Sequence, residues 1–593
     1  MQHAAKRANR GAPEAPRSAV GPVAQWAPVA VVAAAVLLFA VLKLYSFNVV
    51  IGDEHVYFNM ALLVNKGLLP YRDFFYTHPP LHLYEAVLAF RLFGYSLTLG
   101  KLLPNLAMAV SGVLIFAVGR RALGPAEGAL GCAIFLLSFD PLRISSHFTG
   151  VDLTFVLAMA GWWLAYGDLP VAAGICFGLG ALVAVYILPA AAAVALMLWW
   201  RSRGRMIRFV AATAAIAGAG NLLFYGLAGW SYIYQVYVTQ SLKGPEGSLI
   251  GYSLTDRMGF ILFENRLLTA GVIAGLVLLG ADVRHRLKER YGDWKLRDVL
   301  SGRVRLREEP RAEGLLACVT WLVIFWVFYT QLRLLHAYYF IFIMPVFAWL
   351  SAYAYLEIAR GIVRLFRPLD TEATRADRRA VRRRAAPSRR ADRFTPLIPA
   401  AVALVLTLAS IGLVDALYVP FMLQRYGTRV SRYPWRPNPF VRAIDPWVRA
   451  LFWSPQYDPQ HPISGIARYL QHESEQITVA DQLYAAVRQH SEPNDTIFGE
   501  VGVVQFVASE TGRRIAGNLV DTSTYQISYK LVRVEDWIAA IEKDHVRLLV
   551  VRRGSMPMSY PQFRDYASRN FQTVAVVRDP AFGPFEIMRR IGS

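Results

Sequence analysis

The sequence predicts a mainly α-helical, polytopic membrane protein of about 11 transmembrane helices with a C-terminal extracytoplasmic α/β domain. Of its 593 residues, 55% are hydrophobic and only 18% are charged, with a mean hydropathy of +0.33, whereas soluble proteins carry about a quarter charged residues. Apolar runs of about 20 residues recur along the chain. The net charge of +21 is concentrated in short blocks, which is typical of cytoplasmic loops. A nucleic-acid-binding protein would share the basic charge but not the apolar runs, so that class is excluded.

Apolar runs bounded by charged residues define the predicted membrane domain, 27–419. The predicted spans are 27–50, 101–119, 125–140, 151–167, 171–184, 186–200, 208–228, 267–283, 314–331, 338–358 and 395–419. Several are nearer about 15 residues than 20, so we expect them to be tilted, buried among neighbours or not fully spanning. The boundary at 184–187 is the least sharply marked. The first span follows a basic cytoplasmic tail, 1–26, and its apolar run is too long for a cleaved signal peptide.

The distribution of basic residues predicts the orientation of every loop. With the N-terminus in the cytoplasm, four basic blocks fall on the cytoplasmic side: 120–121, 201–208, 284–311 and 360–393. The loops rich in acidic, histidine and aromatic residues then lie on the outer face: 51–100, 141–150, 229–266, 332–337 and the chain after 420. Chemistry at these loops would therefore take place outside the cytoplasm.

The cysteines predict no covalent or metal framework. Cys132, Cys176 and Cys318 all fall inside apolar runs. This placement leaves no disulfide set, no CxxC pair and no thiolate metal site.

After about residue 420 the composition becomes that of a soluble domain, 420–593. Helical spacing begins at about 474. It is followed by a strand at 495–499, a helix at 533–543, a strand at 545–551, a helix at 561–569 and a strand at 571–577. Helices that alternate with short apolar strands predict a small α/β layer. The domain has no phosphate-binding glycine loop and no nucleophile elbow, so we interpret it as shaping or covering a site, not as the catalyst.

The first outer loop, 51–100, begins with an acidic pair, Asp53 and Glu54, directly after the first span. The apolar residues of 54–64 predict a short helix along the membrane surface. An acidic pair at a helix start also fits a plain capping role. Other polar side chains gather on the same face: Asp73, Tyr76 and His78 in this loop, and Arg143, His147 and Asp152 in the next outer turn. Their number favours a functional site over capping alone.

A third outer element, 331–345, places Arg333 and His336 at its outer mouth, followed by Tyr338 and Tyr339. Snorkelling side chains together with an aromatic belt explain such a pattern at this depth. The alternative is a phosphate subsite, because arginine offers a planar fork of donors and histidine a tunable cation. The residues alone leave both interpretations open.

These motifs resemble the GT-C glycosyltransferase superfamily. The resemblance is carried by the Asp53-Glu54 start, the run Gly67-Leu-Leu-Pro-Tyr-Arg-Asp-Phe, the sequence His78-Pro-Pro-Leu and the element His336-Ala-Tyr-Tyr that ends at Met344-Pro. It covers roughly residues 25–360. The most similar members are the bacterial relatives of dolichyl-phosphate-mannose protein mannosyltransferases and of the aminoarabinose transferases that modify lipid A.

The resemblance implies an inverting hexosyl- or pentosyltransferase, which moves a sugar from a polyprenyl-phosphate-linked donor to an acceptor hydroxyl. By match to the family motif, Asp53 would be the catalytic carboxylate, with Glu54 beside it. The residues implied on the acceptor side are Asp152, His78, Tyr76 and Asp73, and those implied at the donor phosphate are Arg143, Arg333, His336 and Tyr339. Relatives often carry a lysine or arginine after the glycine-rich fifth span, whereas this chain has none over 178–186.

The expected partners are the sugar donor, a glycan, glycolipid or protein acceptor, and the bilayer, with no nucleic acid. The resemblance and the topology imply a multi-pass protein of the bacterial cytoplasmic (inner) membrane. No cofactor is required by this chemistry. A divalent cation shared by Asp53, Asp152 and a histidine stays open, although no spacing demands one.

The leaving group of this reaction is a phosphate monoester, which is already a stable anion. One general base is therefore enough, and no general acid is needed. Two other functions stay open, a lipid-linked oligosaccharide ligase or polymerase and a transporter or flippase. Transporters place charged residues near the bilayer midplane, often in repeated halves. Here the acidic residues crowd the outer face without an internal repeat, which favours chemistry at one surface.

Overall fold

Apolar helices account for most of the chain. A computed structural model describes residues 22–44, 53–145, 147–242, 266–300, 304, 308–332, 337–366, 402, 405–407, 480–528, 531–552, 554, 556–579 and 583–592. The helices before residue 400 are α1 (Pro22–Leu44), α2 (Asp53–Asn65), α3 (Pro80–Phe93), α4 (Leu97–Ala122), α5 (Pro125–Leu137), α6 (Phe139–Ile144), α7 (Val151–Tyr166), α8 (Pro170–Ala181), α9 (Leu188–Arg201), α10 (Arg203–Ala228), α11 (Trp230–Ile233), α12 (Thr239–Leu242), α13 (Arg266–Tyr291), α14 (Leu296–Leu300), α15 (Pro310–Gln331) and α16 (Met344–Phe366).

The predicted series of apolar helices is confirmed, while the bounds of the membrane domain, 27–419, stay a prediction. Among the described residues, four helices are long and apolar enough to cross a membrane: Leu97–Ala122, Arg203–Ala228, Leu268–Tyr291 and Pro310–Gln331. Shorter apolar helices cover Trp26–Ala40, Pro125–Leu137, Val151–Tyr166, Pro170–Ala181 and Val185–Arg201. The count of about 11 spans stays a prediction, because the span 395–419 falls mostly outside the described residues.

Proline marks the start of several helices. Pro125, Pro170 and Pro310 lie in the first turns of α5, α8 and α15, where the missing N–H group is not needed and the fixed φ suits the helix. Pro80 starts α3 in the same way. Helix α3 lies inside the first outer loop and is not among the predicted elements, because its 14 residues are too few to stand out as a span.

The chain reverses direction between α8 and α9, at the boundary that the sequence marks least sharply. A single turn of 3₁₀ helix, Val185–Ile187, joins the two helices. A Cβ atom at Gly180 would overlap the side chain of Ile187, so the reversal is closely packed. The turn leaves Tyr186 half-buried at the end of the bundle that holds the first outer loop.

Basic side chains meet acidic partners at the other end of the helix bundle. The ion pairs there are Arg201 with Glu313, Arg205 with Asp168 at 2.8 Å, Arg311 with Asp282 at 2.8 Å and Arg360 with Glu127 at 3.5 Å. Each pair contains one arginine of a predicted cytoplasmic block. The basic loops therefore share one end of the bundle, as the charge pattern predicts; that this end faces the cytoplasm stays a prediction.

A mixed five-stranded sheet forms the centre of the C-terminal domain. Its strands are β1 (Thr496–Gly499), β2 (Arg514–Ile515), β3 (Leu548–Arg552), β4 (Phe571–Asp579) and β5 (Gly583–Arg590), in the order β2-β1-β3-β5-β4. Strand β1 is parallel to β2 and β3, and β5 is antiparallel to β3 and β4. The helices are 480–490, α17 (Val503–Thr511), α18 (Thr524–Ser528), α19 (Val534–Lys543) and α20 (Pro561–Asn570).

The predicted alternation of this domain is confirmed, with ends that differ by a few residues. Helix α17 and strands β2 and β5 were not predicted. Strand β2 has only two residues, which is too short for a detectable alternation. The predicted domain boundary near 420 lies outside the described residues.

The C-terminal domain and the first outer loop share one hydrophobic core. Val56 and Phe58 of α2 belong to the same buried cluster as Val503, Phe506 and Val507 of α17. Burial of apolar surface on both sides is the main force that holds such elements together. Helix α2 is therefore enclosed between the membrane helices and the soluble domain.

Two hydrogen bonds add to the apolar packing between the C-terminal domain and the membrane domain. The Asn59 amide donates to Ser509 Oγ at 3.1 Å, and the Tyr95 hydroxyl donates to Glu510 Oε1 at 2.9 Å. Both acceptors lie on α17. The C-terminal domain therefore contacts the edge of the membrane domain through specific groups as well as through its core.

We predict that Gly275→Ala destabilises the bundle, because a Cβ atom at 275 would overlap the backbone carbonyl of Leu350 on α16. Overpacking of this kind costs about 1–3 kcal/mol, which should lower the midpoint of thermal unfolding in detergent. Gly280→Ala on the same helix is the matched control, since no atom lies within 4 Å of its Cβ position. Equal midpoints for the two variants would contradict the prediction.

Candidate active site

The two acids that open α2 lie in different environments. Asp53 is exposed at the N-terminus of the helix, whereas Glu54 is only 1% exposed. The N-terminus of a helix favours negative charge, which stabilises the Asp53 carboxylate. Of the adjacent pair, Asp53 is thus the acid that a reactant from solution can reach.

Glu54 is the centre of a buried charge network. It forms an ion pair with Lys101 of α4, and its carboxylate oxygens lie 3.9 Å from His55 Nε2 and 3.9 Å from His147 Nδ1. The backbone N–H of Phe148 also donates to Glu54 Oε2, at 3.4 Å. Burial by itself raises the pKa of Glu54, but the charges of Lys101, His147 and His55 together lower it below its usual value. This network joins the start of α2 to α4 and to the second outer turn.

Lys101 was not predicted as a site residue. In the sequence it stands at the start of a predicted apolar span, where a lysine is usually explained by snorkelling. In the structure it is only 4% exposed and pairs with Glu54. A lysine within an apolar run, close in sequence to an acid-rich loop, is the signal that could have identified it.

The second half of the first outer loop forms a cluster of tyrosine and histidine side chains. The Tyr57 hydroxyl lies 3.0 Å from His78 Nε2, and the Tyr76 hydroxyl lies 2.9 Å from His82 Nδ1. The Tyr71 hydroxyl donates to the His78 carbonyl at 2.7 Å. The predicted residues Tyr76 and His78 are thus brought together beneath α2, whereas His82 was not predicted.

Gln235 anchors this loop. Its Oε1 accepts the Tyr76 N–H at 2.8 Å, and its Nε2 donates to the Tyr71 carbonyl at 2.9 Å. Tyr71 has a positive φ of 68°, a conformation that costs energy for a non-glycine residue. The bond from Gln235, together with the Tyr71 N–H bond to the Phe74 carbonyl at 3.0 Å, holds Tyr71 in that conformation.

Asp73 has a local structural role. Its carboxylate accepts the Leu69 N–H at 2.8 Å and two bonds from the Arg72 guanidinium at 2.9 Å. The bonds from Arg72 and Leu69 lower the pKa of Asp73. These bonds close the turn after α2, and a contact with the acceptor stays a prediction for this residue.

Asp152 is fully buried at the start of α7. Gly150, with a φ of 72°, makes the turn into the helix, and a Cβ atom there would overlap the ring of His82. Within the described residues, neither carboxylate oxygen of Asp152 has a hydrogen-bond partner. The negative charge of Asp152 also acts on Glu85 of α3, whose pKa is raised first by burial and then by this charge.

The predicted donor-phosphate residues are placed only in part. Tyr339 lies 4.9 Å from Tyr186 and 4.7 Å from Tyr338 by ring centroids. Arg333 and His336 lie outside the described residues, and so does the side chain of Arg143. In the part of the chain that is described, no group of three or more His, Cys, Asp or Glu residues is placed to hold a metal ion.

The fold is similar to that of solved membrane proteins. ArnT from Cupriavidus metallidurans bound to undecaprenyl phosphate matches with a TM-score of 0.54 and 14% identity, over 95% of this chain and 98% of that chain. Its apo state matches with a TM-score of 0.53 and 13% identity, over 96% and 98%. At this identity the matches show a likeness of fold, and it is the kind of fold that the resemblance noted in the sequence implies.

A curated protein matches part of the chain in sequence. The catalytic subunit of GPI alpha-1,4-mannosyltransferase I from Danio rerio is 27% identical over 198 residues, which cover 31% of this chain and 50% of that protein. The chain thus spans about half the length of this relative. No protein-family model matches the chain.

We predict that Lys101→Met is strongly destabilising, because it leaves the buried Glu54 carboxylate without its ion-pair partner. Breaking a buried pair from one side costs about 3–5 kcal/mol. The thermal midpoint of the purified protein in detergent should fall accordingly. The double variant Lys101→Met/Glu54→Gln removes both charges and should recover part of the loss; a double variant no more stable than Lys101→Met would contradict this.

Proposed function

We propose that the chain is an inverting glycosyltransferase, which moves a sugar from a polyprenyl-phosphate-linked donor to an acceptor hydroxyl at the outer face of the membrane. The fold supports the proposal, because the similar ArnT structure holds undecaprenyl phosphate. The name of the curated relative, a mannosyltransferase, supports transfer of a sugar. The sugar donor, a glycan, glycolipid or protein acceptor and the bilayer are the proposed partners. A bacterial cytoplasmic membrane is the proposed location.

The observation that carries the proposal is the placement of Asp53. It is exposed at the start of α2, while the neighbouring Glu54 is buried and paired. Helix α2 is held by the Glu54 network on one side and by the C-terminal domain on the other. A carboxylate on such a fixed support can keep hydrogen-bond distance to a reacting hydroxyl, which a general base requires.

The chemistry needs few groups. Asp53 accepts the proton of the acceptor hydroxyl as the hydroxyl oxygen attacks the anomeric carbon, and the bond from that carbon to the phosphate oxygen breaks. The phosphate leaves as an anion, so positive and hydrogen-bonding groups around it lower the barrier. Arg143, Arg333, His336 and Tyr339 are the proposed groups for this role.

The other predicted residues have supporting roles in this proposal. Glu54 is a positioning residue, because its buried pairing with Lys101 fixes the first turn of α2. Tyr76, His78 and Asp152 line the same end of the bundle on the acceptor side. No step of the reaction requires a metal ion.

We predict that Asp53→Asn lowers the rate of sugar transfer about 10²–10⁴-fold, because a general base contributes an effect of that size. The assay supplies undecaprenyl-phosphate-linked sugar to proteoliposomes of the full chain and measures labelled product. The thermal midpoint of the variant should match that of the original protein, since Asp53 is exposed.

Asp168→Asn is the matched control for this experiment. Asp168 is also exposed beside a helix end, and its partner is Arg205 at the opposite, basic end of the bundle. We expect this variant to retain transfer. Near-normal transfer by correctly folded Asp53→Asn protein would remove Asp53 from the mechanism and, with it, the proposed function of the site.

A further inference from the structure

The loop 516–523 of the C-terminal domain leaves the sheet at the carboxyl edge of its parallel strands. It follows β2, which is parallel to β1. The Thr522 hydroxyl donates to the Gly499 carbonyl at 3.2 Å, which ties the loop to the end of β1. In open α/β sheets, ligands bind outside this edge. The position of the loop in the fold is therefore one that commonly binds ligands.

The same loop is directed at the first outer loop of the membrane domain. Gln505 donates to the Val520 carbonyl, and the ring of the next residue, Phe506, lies 4.5 Å from the ring of His55. Val520 itself is buried in the core cluster that α2 and α17 share. Val520, the residue before Asp521, is thus linked to the first turn of α2 through Gln505 and Phe506 of α17.

A second contact brings the loop close to the turn after α2. The Asn518 amide reaches the Asp73 carbonyl at 3.5 Å. The loop is therefore anchored to the first outer loop after α2, while α17, to which Val520 is bonded, contacts the first turn of that helix. Of the residues that follow Asn518, Val520 packs into the core cluster that includes α2, whereas Leu519 packs against the other face of the sheet.

Asp521 and Asp53 act on one tyrosine. Tyr57 follows Asp53 by four residues in α2, so their side chains share a helix face. Burial first, and then charges that include those of Asp53 and Asp521, raise the pKa of Tyr57. The charges of both carboxylates therefore act on the same phenol, one from the membrane domain and one from the C-terminal domain.

Asp521 has capacity to bind a ligand. Its Oδ1 accepts the Ser523 N–H at 2.9 Å, which is a local turn bond. Among the described residues, its Oδ2 accepts no hydrogen bond, and the side chain is half-exposed. An ionised carboxylate oxygen is a strong acceptor for hydroxyl groups.

We propose that the loop 519–523 forms the acceptor-facing wall of the transfer site and that Asp521 binds a hydroxyl of a saccharide acceptor, opposite Asp53. The inference rests on the proposed function and deepens it, because it names the acceptor class and assigns a role to the C-terminal domain. A saccharide fits better than a lone alcohol, since it can offer one hydroxyl to Asp521 and another to Asp53 at the same time.

The local turn bond guides the choice of variant. Asp521→Asn keeps an oxygen that can accept the Ser523 N–H, but it removes the negative charge. Asp521→Ala removes both. Asp495→Asn is the control, because Asp495 also accepts a local backbone N–H, that of Glu492 at 2.8 Å, but at the amino end of β1.

The experiment measures binding to the full chain in lipid nanodiscs with two separate probes. Methyl α-D-mannopyranoside serves as the saccharide, and undecaprenyl phosphate serves as the donor lipid. We expect Asp521→Asn to weaken saccharide binding about tenfold, which is the scale of one charged hydrogen bond. Asp521→Ala should weaken it at least as much. Undecaprenyl phosphate should bind all variants equally, and Asp495→Asn should bind both probes normally.

Several results would overturn the inference. These are equal saccharide binding by Asp521→Asn and the original protein, no saccharide binding by the original protein, or an equal loss of both probes. The last would assign Asp521 a role in folding instead. Failure of the proposed function is a different result, namely normal sugar transfer by Asp53→Asn, so the two failures are distinguishable.

Discussion

The buried ion pair between Glu54 and Lys101 is the constraint on which the acidic edge of the membrane domain depends. A carboxylate that is 1% exposed is stable only with a close partner, and Lys101, His55 and His147 surround it. Because Glu54 is fixed inward, the preceding residue, Asp53, is fixed outward at the helix N-terminus. The Glu54–Lys101 pair therefore holds the first turn of α2 in place and leaves Asp53 exposed.

The helical fold could be predicted because most of the apolar runs have limits that the sequence marks. Charged residues and prolines such as Pro125, Pro170 and Pro310 mark helix ends independently of tertiary structure. Helix α3 was missed because its burial depends on contacts with α2, which hydropathy does not report. Strand β2 was missed for a similar reason, since two residues become a strand only when β1 lies beside them.

Site residues could be predicted only where they lie close to one another in the sequence. The acidic pair and the polar residues of the first outer loop could be recognised in the sequence. The sequence does not tell which of the two acids, Asp53 or Glu54, faces inward. Lys101 and Gln235 act through contacts between distant segments. The proposed role of Asp521 depends on the packing of α17 on α2. Residues of this kind cannot be recognised before the packing of the elements is known.

The shared core of α2 and α17 has a consequence for how the protein is made. Helix α2 is among the first elements to be synthesised and α17 is among the last. The apolar surface of α2 that packs on α17 therefore stays uncovered during most of translation. Insertion of the membrane helices alone does not cover that surface. A chain that terminates early would contain the described membrane helices and still leave the start of α2 unsupported, so assembly of the active edge is a late event in biogenesis.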